Sequence, residues 1–193
     1  ILLEKPMATS LADAQRIAEA AEQAGTRLMI CHNQRFDPRQ VTMRRAVAEG
    51  RIGQILHIFS RRNNLQISVD RVIGKFPMSF WIIPHDIDLM LWTTGLPVSK
   101  VRTYSKSGAV TREDFIISVL TFADGVVGVI ECSWGSPASG GRQLSQHFEI
   151  RGTGGAVEVF PNENGLAIYD RASVSYPDTA VSPDVHGQTE GSF

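Results

Sequence analysis

The sequence predicts an α/β (α+β) protein: a βαβ piece of a parallel sheet, then a domain built on an open, largely antiparallel β-sheet with helices on one face. Three observations predict it. Residues 1–32 read as strand, helix and strand; helical and strand-like stretches interleave from residue 37 to 95; beyond that the chain is almost wholly β, with short turns between apolar β-branched runs.

Ile1-Leu2-Leu3 is an apolar run short enough for a buried strand. Ser10 and Asp13 resemble a capping box with a shortened acid, Leu11, Ala14, Ala18 and Ala21 share one helical face, and Gly25 is placed to end the helix. Arg27–Cys31 reads as the next strand, so the unit has the length of a parallel crossover in a doubly wound domain. Asp37-Pro38 combines an N-cap with proline at the first helical position, and Gly50 stops that helix after Glu49. Residues 54–62 turn strand-like, and Asn63 to Ser79 shows no period and is expected to contain a loop. A helix is expected from His85 to Thr94, with Ile87, Leu91 and Trp92 on its buried face and Gly95 and Pro97 ending it. Ala123-Asp124-Gly125 joins a hairpin between 115–122 and 126–134; Thr153-Gly154-Gly155 joins a second between 147–151 and 156–160; 166–169 adds a strand. After Tyr176 the chain is polar, contains proline and gives no pattern.

A formal net charge of −1 provides no field that would draw the chain to nucleic acid or an anionic membrane. No apolar run approaches the roughly 18 residues that span a bilayer, and the first residues lack the basic lead-in of a signal peptide. Cys31 and Cys132 form neither a disulfide framework nor a paired metal motif, so a reducing cytoplasmic setting is expected. A strand already in progress at Ile1, and an end at Gly191-Ser192-Phe193 with no terminating element, suggest a fragment.

Three segments can carry chemistry. Glu4-Lys5-Pro6 follows a parallel strand, where open α/β sheets bind ligands; Lys5 there either donates to a substrate hydroxyl or is a solvated loop lysine. His32-Asn33-Gln34-Arg35 follows the next strand and opens on the same edge, with amides and a guanidinium suited to a carboxamide or a polyol. Pro84-His85-Asp86-Ile87-Asp88 sits at a helix start, where Asp86 or Asp88 complements the helix dipole, and where a histidine is held in the neutral form that a general base needs. His85 and an aspartate lack a third ligand nearby, so no metal site is expected, and a metal-dependent hydrolase is a remote reading. His57 and His147 are placed on strand faces.

Together these segments resemble the glucose–fructose oxidoreductase, inositol dehydrogenase and MocA (Gfo/Idh/MocA) family. Glu4-Lys5-Pro6-Met7-Ala8 is similar to its Glu-Lys-Pro signature. Asn33-Gln34-Arg35-Phe36-Asp37-Pro38 is similar to its Arg-Arg-Phe-x-Pro segment, with Gln34 in place of the first arginine. His85-Asp86-Ile87-Asp88, followed by Trp92 and Gly95, resembles its His-x-x-Asp helix. The resemblance covers roughly residues 1 to 170, and it implies the C-terminal remnant of a dinucleotide-binding Rossmann domain over 1–33 and a substrate-binding and oligomerisation domain over 34–193, incomplete at its end.

What the resemblance implies is an NAD(P)-dependent oxidoreductase that moves a hydride between nicotinamide and a secondary alcohol of a sugar, cyclitol or related polyol, with NAD or NADP as cofactor. Lys5 and His85 would be catalytic, the lysine as donor to the reacting hydroxyl and the histidine as its base. Glu4, Lys5, Pro6, Asn33, Gln34 and Arg35 would lie at the cofactor; Lys5, Arg35, Trp81, His85 and Asp88 would lie at the substrate. Copies would associate through the open sheet face. The departure is Trp81, where many members have an aspartate four residues before the histidine. Tryptophan can stack on a sugar but cannot orient an imidazole as a carboxylate does; Asp86 and Asp88 are the nearest carboxylates that could take its place. The alternative is a non-catalytic relative acting as a ligand-binding or oligomerisation module. The isolated fragment is expected to be inactive.

Overall fold

The computed structural model describes residues 1–65, 75–108, 113–136, 144–160, 165–169, 174–175, 184–185 and 188–189. The chain divides into two compact units, Ile1–Asn33 and Gln34–Phe193.

In the first unit, strands β1 (Leu2–Glu4) and β2 (Met29–Cys31) pair in parallel, with Glu4 opposite Cys31, and helix α1 (Leu11–Gln23) joins them. Ser10 caps the helix by accepting from the Asp13 N–H at 3.1 Å, while its own hydroxyl donates to the Asp13 carboxylate at 2.7 Å. The shorter acid therefore reaches the cap's side chain rather than its backbone. Gly25, at φ 61°, ends the helix, and the Thr26 N–H reaches back to the Ala21 carbonyl, which is the Schellman closure.

The second unit begins with a 3₁₀ turn, Asn33–Phe36, which runs out of the first, and helix α2 (Pro38–Ala48), capped by Asp37. Strand β3 (Ile55–Leu65) follows, then a helical turn α3 (Met78–Trp81), helix α4 (Ile83–Thr94) and strand β4 (Val98–Lys106). Two hairpins come next: β5 (Phe115–Phe122) with β6 (Val127–Ser136), and β7 (Leu144–Gly152) with β8 (Gly155–Phe160). Strands β9 (Gly165–Tyr169) and β10 (Val174–Ser175) complete an eight-stranded sheet in the order β10-β9-β8-β7-β3-β6-β5-β4. Past Tyr176, where no structure was expected, the two-residue strands β11 (Asp184–Val185) and β12 (Gln188–Thr189) pair with each other.

The sheet is largely antiparallel, as expected, but β3 and β6 run parallel at its centre. That pairing connects segments some seventy residues apart, so no local pattern announces it. Strand β4 also escaped the element-by-element reading: its residues from Ser99 to Lys106 are exposed, so the alternation that marks a half-buried strand is missing.

Helices α2 and α4 cover one face of the sheet. Met43 and Ala46 from α2, with Leu89 and Met90 from α4, pack with Ile58, Ile116, Leu120, Ile130, Trp134, Phe148, Ile150 and Val157 into one core. Gly128 lets α4 come close, since a Cβ there would sit 3.0 Å from the Met90 sulfur. Helix α4 buries Ile83, Asp86, Asp88, Leu89, Met90 and Thr93; Ile87 and Trp92 pack against the core as expected, whereas Leu91, also expected inside, is exposed. The cause is Asp86: an apolar count skips a carboxylate, yet this one lies on the buried face.

Candidate active site at the head of helix α4

Pro84 shapes the segment that carries His85. It has no N–H with which to bond the carbonyl of Phe80, so the helical path from Met78 breaks at Ile82 and resumes as α4. The helix was expected to begin at His85. It begins two residues earlier, and the His85 N–H is already bonded to the Ile82 carbonyl at 3.1 Å. The open donors belong to α3, whose start lacks a side-chain cap of its own; Glu113, just before β5, accepts from the Ser79 N–H (3.3 Å) and hydroxyl (2.9 Å). His85 therefore stands about two turns inside a nearly continuous helical path, away from any helix N-terminus.

His85 is partly buried. Trp81, four residues earlier, is partly buried too, with its ring stacked on Phe76 at 6.0 Å between centroids. The two aspartates that follow His85 go separate ways. Asp86 is fully buried, accepting from the Ser60 hydroxyl at 2.7 Å and from Arg62 Nε and guanidinium nitrogen at 3.1 and 3.0 Å. Burial works against the Arg62 charge, but the adjacent carboxylate outweighs it and the guanidinium is held above its ordinary range. Burial also pushes the Cys132 thiol upward, with Asp86 adding to the effect, so this cysteine is inert.

Asp88 receives both nitrogens of Arg35 in a fork, at 2.8 and 2.6 Å. That bonding, ahead of charge alone, holds the Arg35 guanidinium above its usual range. Arg35 also lies 5.9 Å from the Trp92 ring centroid, and Arg44 covers the same ring at 4.7 Å while donating to the Trp92 carbonyl. Asp86 and Asp88, each read as complementing a helix dipole, are thus tied to tertiary partners. The structure brings Arg35 to Asp88, keeps Gln34 in the same 3₁₀ turn, and sets Trp81 one turn before His85. It commits Asp86 to β3, so Asp86 does not stand in for the missing carboxylate beside the histidine.

In the first unit, Glu4 ends β1 opposite Cys31, which ends β2. The Lys5-Pro6 and His32-Asn33 segments therefore leave the parallel pair at one carboxyl edge, and the Lys5–Pro6 peptide is cis. Sequence reasoning missed Ser60, Arg62 and Glu113. Only the alternation of Ile58, Ser60 and Arg62 along β3 hinted that Arg62 points inward.

Comparison with known proteins agrees with this architecture. The sequence profile of the GFO/IDH/MocA C-terminal domain matches residues 41–158. The chain is 27% identical to an inositol 2-dehydrogenase of Salmonella typhimurium over 184 residues, covering 91% of this chain and 51% of that protein. Among solved structures, the WlbA dehydrogenase of Bordetella pertussis in complex with NADH and UDP-GlcNAcA matches at TM-score 0.75 and 26% identity, covering 89% of this chain and 56% of that one. An inositol dehydrogenase homologue of Azotobacter vinelandii complexed with NADH and myo-inositol shares the fold at TM-score 0.77, with 16% identity and 90% and 48% coverage. The chain spans about half the length of the curated relatives it matches.

Proposed function

The chain belongs to the Gfo/Idh/MocA family, and from that premise we propose that it is the substrate-side part of an NAD(P)-dependent oxidoreductase acting on a secondary alcohol of a sugar, cyclitol or related polyol. In this reading residues 1–33 are the end of a dinucleotide-binding domain and residues 34–193 form the substrate-binding domain. The observation that carries the reading is the Arg35–Asp88 fork, which pins the polar turn after β2 to the helix bearing His85.

The shared carboxyl edge of β1 and β2 suits a dinucleotide, because Lys5 and Asn33 there offer donors for ribose hydroxyls and a carboxamide. A nicotinamide, when bound, supplies the hydride chemistry. The residues of this chain supply the proton handling. Lys5 donates a hydrogen bond to the reacting hydroxyl oxygen; His85 accepts the hydroxyl proton at an imidazole nitrogen; Trp81 offers an apolar ring for a sugar face. Copies of the chain would associate through the open sheet face, where Phe59, Val119 and Val129 lie half-buried among charged groups.

The test is turnover of a polyol panel with NAD or NADP by the intact protein. Lys5→Ala and His85→Ala should each lower kcat by about 10²- to 10⁴-fold with the fold intact. Near-normal turnover in both variants overturns the assignment. Binding of cofactor and polyol without any reduced nicotinamide would favour a non-catalytic relative, the reading to which the Trp81 substitution points.

A further inference from the structure

Two adjacent acids lead into β5, and they do different work. Asp114 is buried and built into the sheet. Its N–H donates to the Lys106 carbonyl at 3.1 Å, and its own carbonyl accepts from the Trp134 N–H at 3.3 Å. The Trp134 indole donates to its carboxylate at 3.2 Å. Gly108 lies so close that a Cβ there would come within 2.5 Å of Asp114 Oδ2. Glu113 stands next to this fixed base, and its carboxylate reaches α3. One oxygen, Oε2, accepts from both the Ser79 N–H (3.3 Å) and the Ser79 hydroxyl (2.9 Å).

Ser79 lies between two stacked rings. Phe76 precedes the α3 turn and Trp81 ends it, and the rings make an angle of 23°. The Phe80 and Trp81 N–H groups both bond the Pro77 carbonyl at 3.1 Å, so the turn moves as a unit. Met78 and Ile82 sit on the core, but apolar packing is non-directional and does not by itself fix the turn's tilt. A hydrogen bond to a carboxylate is directional, and Pro77 at the start of the turn supplies no side-chain cap that could do the same. Helix α4 is held separately. Asp86 ties it to β3 through Ser60 and Arg62, and Asp88 ties it to Arg35. Loss of the Glu113 contact therefore loosens α3 and its rings while His85 stays in place.

We propose that Glu113 is a positioning residue for the substrate: through Ser79 it fixes the α3 turn, and with it the attitude of the Phe76–Trp81 pair toward the ring of a sugar or cyclitol. This rests on the oxidoreductase reading above, in which Trp81 offers its ring to a sugar face. Phe76, 43% exposed, widens that apolar surface. Glu113 acts through α3 and not on the reacting atoms. A stacked ring holds the substrate equally well before and during hydride transfer, so the effect falls on KM and leaves kcat alone.

The test is steady-state kinetics of the intact protein with a cyclic polyol, alongside amide exchange followed by mass spectrometry. Glu113→Ala should raise KM about five- to tenfold, with kcat within about twofold of the parent, and should speed exchange at residues 79–82 about tenfold. Glu113→Gln keeps an oxygen for the Ser79 donors and should return KM to within about twofold of the parent. A merely structural role would lower the melting temperature without this split between KM and kcat. If Glu113→Ala does not fold, Ser79→Ala, which loses the shorter contact, should raise KM about threefold or more. Unchanged KM in the folded variant, or a fall in kcat alone, overturns the role while the oxidoreductase reading stands. A parent that turns over no polyol overturns that reading and this role together.

Discussion

Arg35 and Asp88 meet as a fork, guanidinium Nε to Oδ2 at 2.8 Å and NH2 to Oδ1 at 2.6 Å, across 53 residues of sequence. Each is a charged residue near the segment expected to do chemistry, and together they form a neutral pair that fastens the turn after β2 to helix α4. The carboxylate is almost covered while the guanidinium remains about 40% exposed, so the pair is well formed yet partly screened.

Asp88→Asn should therefore lower stability by about 1–2 kcal/mol, less than a fully buried pair would lose. A double-mutant cycle with Arg35→Ala, read from urea midpoints, should show coupling of similar size. Strict additivity would mean that the fork contributes nothing.

The pair of Asp86 with Arg62 is the harsher case, because the side chains are 0% and 12% exposed. Asp86→Ala strands a guanidinium and the Ser60 hydroxyl in the core and should cost about 3–5 kcal/mol. Replacing Asp86 and Arg62 together with apolar residues of similar volume should restore much of the loss. Thermal melts of the single and double variants decide this.

Glu131 gives a pH dependence. Hydrogen bonding from Arg61, ahead of the Arg61 charge, holds its carboxyl below the usual carboxylate range. A lowered folded value means that its stabilisation is complete above the unfolded carboxylate range and disappears as pH falls through the lower folded value. Glu131→Gln should lower the urea midpoint at pH 7 and narrow the difference between pH 7 and pH 3. Equal pH sensitivity in parent and variant would refute the coupling.

Two glycines should respond differently to alanine. A Cβ on Gly152 would lie 2.1 Å from the Ile52 carbonyl oxygen and 2.9 Å from that of Gln54, where the Thr153 and Gly154 N–H groups dock the β7–β8 turn onto residues 52–54. Gly152→Ala should cost about 3 kcal/mol, because backbone rather than side chain must move. Gly50, at φ 72° with nothing near its missing Cβ, should cost only about 1 kcal/mol, the strain of a left-handed alanine. Similar losses at both sites would show that the docked turn yields easily.

Local features were legible where the physics is local. Ser10 and Asp37 as caps, Gly25, Gly50 and Gly95 as helix ends, and the Asp124-Gly125 and Thr153-Gly154 hairpins stand where the sequence puts them, since each is decided within a few residues. On α4, Ile87 and Trp92 pack against the core as expected but Leu91 does not, because Asp86 counts as polar in sequence and as core in space.

By itself the sequence determined the βαβ opening, the two main helices and the hairpins with their caps and turns, the family segments at Glu4-Lys5-Pro6 and His85-x-x-Asp88, and the largely antiparallel sheet, but not the exposed strand β4. Tertiary structure alone decided the parallel β3–β6 pairing and the partners of the charges: Arg62 for Asp86, Arg35 for Asp88, Arg61 for Glu131. The reason is physical. A cap or turn is satisfied by neighbours in the chain, whereas a buried charge must find its counter-charge wherever folding brings one, here 24, 53 and 70 residues away.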